Sequence, residues 1–188
     1  RYVENMNQGQ VFVKTDFKNA FNTLRRGSIL EAVAKHFPEL LAFAQSTMDQ
    51  MSVLQFSDFV LHSAEGAQQG DSLGPLYFCL AFKELLESQQ SELALGFLDD
   101  VAIGGDAACV MEDFLQLEAA AKLLGLEMNR DKCEIVGHSD DTRSLFASHG
   151  INLPETSPAE VILLGAPLSA GQHLDAVLES KRHELQRL

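Results

Sequence analysis

Basic residues are scarce in this chain. Fourteen lysines and arginines stand against 27 aspartates and glutamates, giving a formal net charge of −13 over 188 residues. A surface that grips a nucleic-acid backbone normally shows a basic footprint, because phosphate neutralisation supplies much of the affinity. The basic groups here are small: Arg25-Arg26, Arg130 with Lys132, and Lys181-Arg182 with Arg187. Cysteine is scarcer still. Cys79, Cys109 and Cys133 include no Cys-x-x-Cys pair, which excludes a structural zinc site and points to a reducing, intracellular compartment. The six histidines lack ligand spacing, and His36 and His62 read as packing or surface residues. No apolar run is long enough to span a bilayer, and the polar first ten residues are not a secretory signal. Repeats and low-complexity tracts are also missing, and only residues 152–158 resemble a linker.

What is present is a globular composition, 46% hydrophobic with 7% aromatic. That length builds one domain, or one and the start of a second, with a proper core. Ser28-x-x-Glu31 ahead of an apolar series predicts a capped helix to about Phe37, and Pro38 opens another to about Met51. Residues 53–56 and 59–61 read as a hairpin turning at Ser57-Asp58, and Pro75 seeds an apolar helix to about Glu87. Residues 107–124 form the clearest helix, with Phe114, Leu115, Ala119 and Leu123 on one face and Gly125 as the stop. Strands at 126–128 and 134–136, a helix from Ser139, a strand at 161–164 and an amphipathic helix from Leu174 complete the chain. The order reads as α+β.

The most informative stretch is residues 96–105. Asp99 and Asp100 sit between two short apolar runs bounded by glycine, which reads as a tight hairpin with carboxylates at its tip. Adjacent like charges at the edge of a buried hairpin call for a positive partner, and hard divalent cations take carboxylate oxygens. A solvated Asp-Asp turn is the plainer alternative. A second carboxylate has a matching setting: Val11-Phe12-Val13-Lys14-Thr15 is a β-strand ending in Asp16. If that strand pairs beside the hairpin, Asp16 comes to lie against Asp99 and a two-metal site becomes possible.

At this point a family resemblance enters. Asp16-Phe17-Lys18-Asn19-Ala20-Phe21-Asn22 resembles the first catalytic motif of reverse transcriptases, and Glu65-Gly66-Ala67-Gln68-Gln69-Gly70-Asp71-Ser72-Leu73-Gly74-Pro75 the second. Phe97-Leu98-Asp99-Asp100 resembles the third, Leu124-Gly125-Leu126-Glu127-Met128-Asn129-Arg130-Asp131-Lys132-Cys133-Glu134 the fourth, and Leu163-Leu164-Gly165-Ala166-Pro167-Leu168 the fifth. The set stands in family order and is most similar to the enzymes of retrotransposons lacking long terminal repeats. Ser72 stands where the family more often has Pro, and Leu98 where Ala is more usual.

The resemblance implies an antiparallel sheet backed by helices, the palm of a right-hand polymerase. It divides the chain into a palm core over residues 1–137 and, over 138–188, a primer-grip-like strand with the start of a thumb or connection helix. The chain lacks an initiator Met, so it reads as a portion of something longer, with fingers, most of a thumb and an optional endonuclease elsewhere. Implied partners are an RNA or DNA template with its primer, and deoxyribonucleoside triphosphates. Asp16 and Asp99 would bridge two Mg²⁺ or Mn²⁺ ions, with Asp100 as support and the Phe17 carbonyl as a further ligand. Phe21 would exclude a ribose 2′ hydroxyl. Gln69 and Gly70 would lie against the templating base and nucleotide. Lys132 would donate a proton to pyrophosphate, and Leu164 and Gly165 would grip the primer end. Two other classes stay open: an inactive or decayed palm serving as an interaction module, and a receiver-type phosphoacceptor domain, which also joins three aspartates and a lysine around Mg²⁺.

Overall fold

The structure is a computed structural model that describes residues 2–48, 52–68, 70–137 and 139–186. Its centre is one four-stranded sheet. Strand β1 (Gln10–Thr15) carries three β-branched residues and a Phe in six positions, a composition that suits a pleated, buried surface. It is followed by helices α1 (Ala20–Thr23), α2 (Arg26–His36) and α3 (Leu41–Met48), the last entered through a 3₁₀ turn at Pro38–Leu40. Strands β2 (Ser52–Phe56) and β3 (Phe59–Ser63) make a separate hairpin. Helix α4 (Gly74–Glu87) leads to β4 (Leu93–Phe97), β5 (Asp100–Asp106) and helix α5 (Ala107–Leu123). Strand β6 (Glu134–Gly137), helix α6 (Asp140–Ser148), a two-residue hairpin β7 (Ile162–Leu163) and β8 (Ala166–Pro167), and helix α7 (Gln172–Leu185) close the order.

The main sheet runs β4-β5-β1-β6, every pair antiparallel. Side chains alternate across it. Val11 and Val13 with Val101, Ile103 and Ile135 face the helices, packing with Ile29 and Val33 of α2, Tyr77 and Phe78 of α4, and Val110, Phe114 and Leu117 of α5. Each fully buried side chain of this size contributes about 1.5–3 kcal/mol. Phe12, Ala102 and Val136 face the other way, where Val3, Met6, Val161 and Leu168 cover one end of the sheet. The opposite end of that second face is where the carboxylates lie. An antiparallel sheet backed by helices is the expected palm, and it excludes the receiver alternative, whose fold needs parallel β/α alternation.

Four local expectations are corrected. Helix α2 starts at Arg26, with Arg25 as a cap residue whose side chain makes no capping bond, so the Ser28-x-x-Glu31 box is not used. The reason is tertiary: the Arg26 guanidinium donates to the carbonyls of Met48, Ser63 and Gly66, fixing the first turn three residues early. On α5 the buried face is Ala107, Val110, Met111, Phe114, Leu117 and Ala121, while Leu123 is 72% exposed. Residues 126–128 form no strand. The turn at Gly125 (φ +87°) folds under Thr23, and the next residues pair with the segment after β1 through an isolated Phe17–Met128 bridge. Residues 154–156 are no linker, since Ile135 N–H donates to Pro154 and Thr156 N–H to Ile135, binding the segment along β6.

Candidate active site

Asp16 leaves the end of β1, and Asp99 and Asp100 turn the β4–β5 hairpin. Because β1 pairs with β5 rather than β4, its register (Thr15 with Val101) puts Asp16 opposite Asp100 when continued one step. Asp16 was expected against Asp99; Asp99 instead stands one residue farther out, in the two-residue turn with Leu98. Leu98 has φ +57°, a conformation that costs a branched side chain energy and fits the tight hairpin only because the strands on both sides enforce it. All three carboxylates are half-buried. Burial, first, and the charges of Asp99 and Asp16 push the Asp100 carboxyl above its ordinary range, while Lys14 pulls it back.

The Asp16 backbone is clamped. Its N–H donates to Cys133 Sγ at 3.4 Å, and its carbonyl accepts from Asn129 N–H at 2.8 Å. On the same face of the sheet, Lys14 Nζ lies 2.8 Å from Glu134 Oε1. None of Lys14, Glu134 or Cys133 stands out by type. The signal in the sequence was a lysine at an alternate position inside an apolar strand, and a glutamate two residues after Lys132.

The other expected residues are placed as follows. Phe17 is buried, its ring edge-on to Phe82 with centroids 5.8 Å apart. Phe21, on α1, stacks on Phe78 with centroids 4.8 Å apart and an interplanar angle of 16°. Its free side borders a hollow of about 350 Å³ shared with Gln68, Gly70, Asp71 and Pro75. That loop is held against α1 by Gly66, whose N–H donates to Leu24 and where a Cβ would meet Phe21 O at 2.4 Å. Gly70 needs glycine for φ +94°, since an added Cβ there meets nothing within 4 Å. Gln69 lies outside the described residues. Lys132 is exposed in the turn before β6, at the same sheet end as Asp16, and makes no ion pair among the described residues. Leu164 (φ +51°) and Gly165 (φ +76°) form the β7–β8 turn, and Leu163 packs that hairpin on the carboxylate-bearing face.

The donor chemistry suits a hard divalent cation: carboxylates from adjacent strand ends, on one face, with no ion pair to a lysine or arginine among the described residues. Directly opposed strand residues hold their Cβ atoms about 4.5–5.5 Å apart, a span one cation bridges. As placed, no three acidic, imidazole or thiol groups among the described residues converge closely enough to hold an ion. A hollow of about 1030 Å³ between α5 and residues 125–131 is not lined by these carboxylates, and of its charged residues Lys18 pairs with Glu127 and Arg130 with Glu118.

No helix among the described residues is long and apolar enough to cross a membrane. Among curated proteins, none matches this sequence. Solved structures that share the fold include two telomerases. Apo telomerase from Candida tropicalis matches with 14% identity and a TM-score of 0.53, over 72% of this chain and 30% of that one. Telomerase from the same organism, in complex with a TWJ fragment of telomeric RNA, matches with 13% identity and a TM-score of 0.57, over 89% and 30%. The chain thus spans about a third of the length of the solved structures it resembles. A family model described as reverse transcriptase (RNA-dependent DNA polymerase) matches residues 1–166. The motif order, the palm sheet and that match agree, and the chain belongs to the reverse transcriptase family.

Proposed function

We propose that this domain performs RNA-directed DNA synthesis by nucleotidyl transfer to a primer 3′ hydroxyl, as part of a retroelement. The observation that carries the reading is the docking of β1 beside β5, which gathers Asp16, Asp99 and Asp100 at one end of the palm sheet. Asp16 and Asp99, supported by Asp100 and the Phe17 carbonyl, would hold two Mg²⁺ or Mn²⁺ ions. Such ions, when bound, activate the attacking hydroxyl and neutralise the triphosphate. The chain's own residues do the rest. Phe21, backed by Phe78, offers a flat apolar edge to the incoming sugar, and Gln69 and Gly70 would meet the templating base and nucleotide across the same hollow. Lys132, exposed at the carboxylate end, is available to protonate pyrophosphate. The exposed Leu164–Gly165 turn, on a hairpin that Leu163 packs against the carboxylate face, would seat the primer end. We keep residues 1–137 as the palm core and 138–188 as the primer-grip and connection portion.

A second reading, an inactive palm used as an interaction module, is favoured by the net charge of −13, which repels template and primer. Primer extension on an RNA template decides, using the protein that carries this domain and its Asp99→Ala variant. Extension that Asp99→Ala abolishes supports polymerase chemistry. Extension untouched by Asp99→Ala overturns the site, and no extension by either protein places the domain with the inactive palms.

A further inference from the structure

Lys14 is an odd residue for its place. It sits in the interior of β1, directly opposite Glu134 on β6, on the face that carries Phe12, Ala102 and Val136. Two residues along the same strand is Asp16, and across β5 its own partner is the small Ala102. Nothing bulky on β5 therefore stands between the ammonium and Asp100. The pair is also better fixed than the chain's other lysine bridges. Lys14 and Glu134 side chains are 20% and 26% exposed, against 52% and 71% for Lys18–Glu127. The second Glu134 oxygen accepts from Thr156 Oγ1 at 2.9 Å, and Thr156 is itself fastened to β6 through Ile135. Stability alone gives little reason for such a pair, because taking two charges partly out of water offsets most of their attraction.

We propose that Lys14, anchored by Glu134, is a positioning residue whose charge holds the Asp16 and Asp100 carboxylates together and sets how tightly the Asp16, Asp99 and Asp100 cluster takes a divalent cation. The proposal rests on the metal reading above. Lys14 offsets the repulsion between two carboxylates on neighbouring strands before any cation arrives, and opposes the cation once it does. Glu134 tempers that opposition by neutralising part of the ammonium's field.

The two halves of this ion pair therefore have opposite signs in their effect on metal binding, which a merely structural bridge would not show. The test is thermal melting of the full chain across a Mn²⁺ titration, reading the concentration at half-maximal stabilisation. Lys14→Met should lower that midpoint by about three- to tenfold, and Glu134→Gln should raise it by a similar factor, as expected for one charge a few ångströms away in a half-solvated setting. The double variant Lys14→Met/Glu134→Gln should fall between the two, and it serves as the measurement if either single variant fails to fold, where a midpoint below the wild-type value is expected because the nearer charge is gone. Midpoints that stay at the wild-type value, or that move in the same direction in both single variants, overturn the proposal. A wild-type protein with no Mn²⁺ response at all instead removes the metal reading, and the proposal with it.

Discussion

Cys133 holds Asp16 by the backbone: its Sγ accepts the Asp16 N–H at 3.4 Å and lies 3.3 Å from the Asn129 carbonyl, while Asn129 N–H binds the Asp16 carbonyl. A thiol in that position has to be neutral. Burial pushes it from 9.0 up to about 11, with the backbone hydrogen bond from Asp16 drawing it slightly back.

Native thiol titration should therefore separate the cysteines. Cys79 is exposed and reacts first; Cys133 is buried. At pH 8 a thiol with a value near 11 is ionised on the order of one part in a thousand, about a hundredfold less than an ordinary cysteine, before access is considered. Dithionitrobenzoate should label Cys133 at least about a hundredfold more slowly than Cys79, and at full rate in denaturant. Comparable native rates would contradict the buried thiol. The raised value also fixes the sign of a pH effect. The stabilisation is fully present below the ordinary thiol value and is lost as pH rises toward about 11. Cys133→Ser, which does not titrate, should lose less stability over that interval than wild type.

Asp100 predicts a second pH effect. Its carboxyl is raised, first by burial and then by Asp99 and Asp16, so the protonated form favours the fold. Its contribution is present below the ordinary carboxylate range and is lost as pH rises through the elevated folded value. In metal-free buffer, Asp100→Asn should match wild type near pH 3 and gain on it as pH rises to 7. Because the group is half-solvated, screening holds the gain to about 2 °C in Tm. A difference that shrinks with rising pH would show that the repulsion is not there.

Arg26 joins three segments by donating to Met48, Ser63 and Gly66, and with Gly66 it sets the loop facing Phe21. Arg26→Ala leaves those carbonyls short of a partner and should cost about 3 kcal/mol, some 6–12 °C in Tm for a chain of this size. Calorimetry measures it, and a loss under 2 °C would mean that solvent replaces the guanidinium without penalty.

The sheet was legible because its strands are self-declaring. The apolar run from Val101 to Ile103 and the β-branched run from Val11 to Thr15 fit buried strands, and Asp-Asp marks the turn between neighbours. Failures came where contacts distant in sequence outweigh local pattern. Ser28 and Glu31 match a capping box, yet Arg26 finds carbonyls 22, 37 and 40 residues away. Leu126 and Met128 alternate like a strand, but the backbone of their neighbours Glu127 and Asn129 is used to hold Lys18 and Asp16. On α5 two apolar series overlap, and only packing against α4 and β5 chose the one through Val110 and Leu117 over the one ending at Leu123. Lys14 and Glu134 were invisible as a pair because nothing in sequence says that β1 and β6 are neighbours.

Phe21 decides between a sugar gate and a core ring. Its stack on Phe78 continues to Phe82 at 5.8 Å, so one face is packing, and the other borders the hollow with Gln68 and Gly70. A ring has no polar group with which to read a 2′ hydroxyl, and any exclusion must come from bulk. Phe21→Ala should raise use of ribonucleotides relative to deoxyribonucleotides by about ten- to a hundredfold, which corresponds to about 1.4–2.8 kcal/mol of lost steric discrimination. Stability should fall by about 1–3 kcal/mol, less than the 3–5 typical of a fully enclosed Phe, because half of the ring is already free. Deoxyribonucleotide activity should suffer less, since the carboxylates are untouched. Primer extension with each nucleotide type, before and after the substitution, gives the ratio. If both activities fall together and the ratio does not move, Phe21 is a core residue, and sugar choice has to be sought elsewhere on the rim of that hollow.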